Sequence, residues 1–162
     1  NTTMTQSEEV NNQNNESTES EKESSKLVAV QEVLKTDYFD ITANSVEAFY
    51  NVDTGNPYAS LPKEAGNIYL VVNATFKNTD TESRMIMDGS IFINYNGKEY
   101  EFDKTETIMA EGWGTMLEQI NPLTSKTTNL VWKIPEEISG NIIWKPGRSN
   151  SGQGIIVGSV GN

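Results

Sequence analysis

The run Ile68-Tyr69-Leu70-Val71-Val72-Asn73-Ala74-Thr75-Phe76 decides the fold. β-Branched and aromatic residues dominate it, Gly66 precedes it and Asn78-Thr79-Asp80 closes it, so it reads as a strand. Its first five residues are apolar without a break, which predicts burial on both faces, as at the centre of a sandwich.

Similar short runs recur on either side. Val28 and Val30 give a weak first strand, followed by Tyr38-Phe39-Asp40-Ile41-Thr42 and Val46-Glu47-Ala48-Phe49-Tyr50. Ala43-Asn44-Ser45 reads as a bend between the last two. Residues 51–66, with Gly55, Asn56, Pro57, Pro62 and Gly66, read as a long loop. Downstream, Ser90–Tyr95 and Lys98–Phe102 flank Asn96-Gly97, a pair suited to a type I′ turn in which both central residues need positive φ. Further strands are expected at 107–109, 116–120, 129–134, 142–144 and 154–157. Helical periodicity is absent. Many short strands with turn signals roughly every 8–12 residues predict an all-β, antiparallel β-sandwich.

Residues 1–26 differ in kind. Met4 and Val10 are their only sizeable apolar side chains, too few to offset the entropy of ordering. The expected organisation is a disordered polar tether over 1–26 and one sandwich domain over 27–162. As a flexible coil the tether would reach roughly 30 Å, and fully stretched about 90 Å. The chain begins with Asn1 rather than Met, and the expectation is a trimmed product with an export signal ahead of it.

Composition narrows the chemistry. The 162 residues include no cysteine and no histidine. Disulfides, thiolate nucleophiles, iron–sulfur clusters, the commonest general base and the commonest zinc ligand are thereby removed. The net charge is −11. Six acids and two lysines place −4 of it in residues 1–26, leaving −7 for the domain. A polyanion of this kind repels nucleic acid and anionic lipid. No run approaches the roughly 18 apolar residues of a membrane span.

Four stretches resemble the domain family of unknown function numbered 4352, found in exported bacterial lipoproteins and related to telokin-like immunoprotective antigens. They are residues 39–47, residues 66–78 ending in Asn78, the hairpin Asn94-Tyr95-Asn96-Gly97-Lys98-Glu99-Tyr100, and Leu117-Glu118-Gln119-Ile120-Asn121-Pro122 followed by Leu130–Pro135. Leu123 follows Pro122 where the family more often has Gly. The resemblance implies an immunoglobulin-like sandwich and a lipid-anchored location, and it brings no catalytic residues.

Candidate chemistry competes at each point with a plainer reading. Asp53-Thr54-Gly55 matches the signature of aspartic proteases, which need a second carboxylate close enough to share a proton. No second copy exists, and turn chemistry accounts for Asp and Gly beside Asn56-Pro57. Asp80, Glu82 and Asp88, or Asp103 and Glu106, could offer oxygens to calcium, yet neither group has calcium-loop spacing. Met4, Met85, Met87, Met109 and Met116 would suit copper(I), although no histidine accompanies them. Met85 and Met87 read better as same-face strand residues. The glycine-rich Ser149–Gly154 lacks the lysine and helix of a phosphate loop, and nothing places a Ser–Lys pair.

Two aromatics stand out. Trp113 lies between Gly112 and Gly114, and Tyr58 lies in the Gly/Pro-rich loop. Either could stack on a sugar or anchor a protein partner, while the plainer reading of Trp113 is a ring folded back to cap one end of the sandwich. Trp132 and Trp144 read as core. The expectation is an exported, lipid-anchored, non-catalytic recognition module with a protein or glycan ligand and no cofactor. A self-associating envelope protein is the alternative, and a hydrolase ranks last.

Overall fold

The computed structural model describes residues 27–115, 118–147 and 152–161. It is a β-sandwich without helices among those residues. One sheet has four strands in the order β2 (Val33–Lys35), β3 (Phe39–Phe49), β4 (Asn67–Asn78) and β9 (Ser125–Pro135), all antiparallel. The facing sheet has five: β1 (Leu27–Ala29), β11 (Gly154–Val160), β10 (Gly140–Lys145), β6 (Ser90–Tyr95) and β7 (Lys98–Phe102). Only β1 runs parallel to its neighbour, β11. A two-residue pair, β5 (Arg84–Met85) with β8 (Gln119–Ile120), sits apart.

The inner faces alternate as a sandwich requires. Leu70, Val72, Ala74 and Phe76 of β4 meet Ile91, Ile93, Ile142, Trp144, Ile155 and Val157 of the facing sheet in one buried cluster. The expected core tryptophans are at its centre. Trp132 and Trp144 are both fully buried, with ring centroids 6.3 Å apart in an edge-on arrangement, and Phe76 meets Trp144 at 5.9 Å. Edge-on geometry sets the positive rim of one ring against the negative face of the other. The Trp144 indole N–H donates to the Asp88 carbonyl at 2.7 Å.

The double burial read from the start of β4 is present, but strands supply only one side of it. The outward Tyr69 and Val71 are covered by loops, in a second cluster with Val52, Ala59, Ile108 and Val131. The hairpin takes the expected form, with Tyr95 opposite Lys98 and φ of 51° at Asn96 and 76° at Gly97.

Three expectations are corrected. Residues 38–50 do not make two strands around a bend, because Phe39–Phe49 is continuous and carries a bulge between Ala43 and Ser45. A bulge satisfies the same local signal by adding one residue opposite Asn73 instead of ending the strand. Residues 107–109 form no strand, since Ile108 is drawn into the second cluster as part of a covering loop. Met85 ends β5, so Met87 is not its strand-mate, and the fully buried residue of that stretch is Ile86 between them. The expected polar tether over 1–26, Met4, Met116, the first two residues of the expected 116–120 strand and Ser149–Ser151 lie outside the described residues.

Candidate functional site

The outer face of the four-stranded sheet is where both candidate aromatics belong. Loop 51–66 crosses it, pinned by reciprocal backbone bonds between Val52 and Leu61 at 2.8 and 2.9 Å. Between these ends the loop binds itself. The Gly55 N–H donates to Asp53 Oδ1 at 2.9 Å, the Tyr58 N–H to Asn56 Oδ1 at 3.0 Å, and the Ala59 N–H and Ser60 hydroxyl both to the Asn56 carbonyl. Short polar side chains that bond the backbone two residues on are the usual means of fixing such a turn. Asp53-Thr54-Gly55 is therefore a turn, as its neighbours suggested. Ala59 is buried in the second cluster, while Tyr58 beside it is 98% exposed.

Trp113 comes from the other side, on loop 103–115. That loop runs along the free edge of β9: Glu106 N–H donates to the Val131 carbonyl, Asn129 N–H to Gly112 O, and Gly114 N–H to Asn129 O. Trp113 is thereby fixed beside Asn129, half-buried, with its ring packed against the second cluster. Both loops thus close on one patch of sheet, the Trp ring partly folded in and the Tyr ring outward.

Lys133 ties the two loops together. Its ammonium lies 3.1 Å from Glu64 and 3.6 Å from Glu106. The hydrogen bond to Glu64, and then the Glu106 charge, hold its pKa above the ordinary lysine value. The Tyr69 hydroxyl donates to the Pro62 carbonyl at 2.9 Å, and burial is the first cause that raises its pKa.

Next to the covered patch the same face is polar, a feature that reading the strands one at a time missed. Asn44, the extra residue of the bulge, donates to Asn73 Oδ1 and Thr75 Oγ1, both at 2.9 Å. Asn73 donates in turn to Asn129 Oδ1 at 2.9 Å, and the Thr75 and Thr127 hydroxyls meet at 2.8 Å. Register puts Thr42, Thr75 and Thr127 in one row across three strands and Ser45, Asn73 and Asn129 in the next, where the bulged Asn44 joins them through its side chain. The available signal was Asn and Thr at alternate positions in both 73–75 and 127–129, but only register shows that they meet.

The acidic candidates have structural partners. The backbone N–H of Thr81 and then the Arg84 guanidinium hold the Asp80 carboxyl below its ordinary range, and Glu82 also faces Arg84 at 3.6 Å. Asp88 accepts a hydrogen bond from the Thr105 hydroxyl, which fixes the start of loop 103–115. Among the described residues no group of three or more acids converges as a metal site, and no helix is long and apolar enough to cross a membrane. One hollow, beside Gly66, Glu136 and Glu137, is wide open to solvent.

The fold recurs in other bacterial proteins. The crystal structure of an uncharacterised β-sandwich protein from Clostridium difficile 630 matches with a TM-score of 0.57 at 22% identity, covering 81% of this chain and 91% of that one. A conserved hypothetical protein from Bacillus anthracis matches with a TM-score of 0.51 at 21% identity, over 74% and 89%. At such identities the likeness is one of fold alone. No curated protein matches the chain. The family described as domain of unknown function DUF4352 matches residues 28–151, and the chain belongs to that family.

Proposed function

We propose that this chain is a non-catalytic recognition domain, tethered at the outer face of a bacterial membrane, whose contact surface is built by the two loops over the four-stranded sheet. One observation carries the reading: Tyr58 is almost fully exposed on a loop held in shape by its own hydrogen bonds and by the cluster beneath it. An exposed apolar ring gains from being covered, and a loop already ordered loses little entropy when a partner covers it. The rigid sheet below is the scaffold that such loops need. The polar composition of residues 1–26 and the acidic, cysteine-free character of the whole support an exported spacer-and-domain arrangement.

Co-sedimentation of the domain with purified bacterial cell walls and with membrane vesicles tests the reading. Binding should fall at least tenfold for Tyr58→Ala with the melting temperature unchanged. Equal binding by the variant and the parent would remove Tyr58 from the contact surface. No binding to either fraction would count against the recognition role.

A further inference from the structure

We propose that the two polar rows on the outer face of the four-stranded sheet form a docking platform for a neutral, hydroxyl-rich glycan, with Trp113 as its aromatic rim. The proposal rests on the recognition reading above and names a ligand class and a second contact area for it.

The argument starts from what the rows lack. Thr42, Thr75, Thr127, Asn44, Asn73 and Asn129 carry no charge, in a chain whose net charge is −11. Charges begin one row further on at either side, where Asp40 and Lys77 stand opposite each other and where Glu47 stands opposite Val71. Within the rows an ion would find no counter-charge. A protein partner would find no apolar centre there to bury, the exposed Val33 lying at the edge of the threonine row, and an apolar centre is the part of an interface that carries most of the affinity. A neutral glycan needs neither. It offers hydroxyls that both donate and accept, and it needs a surface that does the same.

The rows retain that capacity. Asn44 uses both amide hydrogens on Asn73 and Thr75, and among the described residues nothing donates to its Oδ1. Asn73 gives one amide hydrogen to Asn129, and Asn129 gives one to the Gly112 carbonyl at 3.3 Å, so each keeps a donor. Among the described residues the Thr42 hydroxyl makes no side-chain hydrogen bond. These groups repeat at the strand spacing of about 4.8 Å across the sheet and about 7 Å along it. The internal bonds fix the amides in orientation before any ligand arrives, which lowers the entropy lost on binding. Trp113 stands where an aromatic rim is useful, backbone-paired beside Asn129 at the end of the asparagine row.

Titration of the ¹⁵N-labelled domain with chitohexaose and with cellohexaose, followed by NMR, tests the platform. The side-chain amide signals of Asn44, Asn73 and Asn129 and the indole signal of Trp113 should shift together. Thr42→Val keeps the branched shape and removes a hydroxyl with no partner among the described residues, so it should weaken binding about tenfold without lowering the melting temperature. If neither sugar shifts the three amides at millimolar concentration, the rows are only cross-strand packing and the platform is overturned. If a sugar shifts the Tyr58 loop alone, the platform is overturned while the recognition reading stands.

Discussion

Leu123 holds a backbone conformation that its own side chain opposes. Its φ is 62°, in the left-handed region, and its side chain is 73% exposed, so little packing compensates. The turn is fixed from outside. The Leu123 N–H donates to the Asn78 carbonyl at 2.8 Å, and the Thr124 hydroxyl donates to Asn121 O at 2.7 Å. Pro122 ahead of it and a positive φ after it are the pattern of a turn that normally takes Gly in third place. Leu123→Gly should therefore stabilise the domain by about 0.5–1 kcal/mol, read as a raised midpoint in urea with an unchanged slope. An equal or lower midpoint would mean that the Leu side chain has contacts worth keeping. This turn was half legible in the sequence: Asn-Pro marks a bend, but nothing in a leucine announces a positive φ. Asn96-Gly97 was fully legible, because both residues tolerate the geometry the turn requires.

Among the elements, β4 and its coverings show where sequence reading stops. The strand and its double burial follow from five apolar residues in a row. What lies on the outer side does not, because loops 51–66 and 103–115 have no period from which a face could be read. Ile108 looked like a strand residue for the same reason: apolar residues in a covering loop and in a strand obey the same burial rule. The bulge at Asn44 likewise leaves one slot extra and no compositional trace. Lys133 is the element-scale test. Replaced by Met, it should free Glu64 and Glu106, and hydrogen exchange should speed up at Val52, Leu61 and Glu106 while β10 amides stay protected. The pH dependence has a definite sign. A lysine whose folded pKa lies above its unfolded value contributes stability that is complete below the unfolded value and lost as pH rises through the folded one. The gap between parent and Lys133→Met should thus be constant at neutral pH and close on the alkaline side, above 10.5. Unchanged loop exchange in the variant would show that the loops are held by the apolar cluster alone.

At the scale of the whole molecule, stability rests on two sheets sharing one aromatic centre. Trp144 touches both: it packs against Phe76 and Trp132 from the four-stranded sheet, and its indole secures the backbone at Asp88. Trp144→Ala should cost about 3–5 kcal/mol and leave the Asp88 carbonyl without this donor, measurable by denaturant unfolding. A loss under about 1 kcal/mol would show that the centre closes around the gap. Next door, Gly89 admits no side chain at all, since a Cβ there would lie 2.0 Å from the Lys145 carbonyl oxygen. The sandwich class and the core tryptophans were legible because period-two patterning and large apolar residues carry their own signal. The polar rows were not, because they exist only once three strands are in register.

The placement of the three tryptophans gives the molecule a built-in optical gauge. Trp132 and Trp144 are sealed in the interior and Trp113 is half open beside the asparagine row. A collisional quencher in solution should dim one emitter and spare the other two. Shielding of that single emitter would report occupancy of the outer face without any label, and a red shift of the sealed pair would report unfolding in the same spectrum.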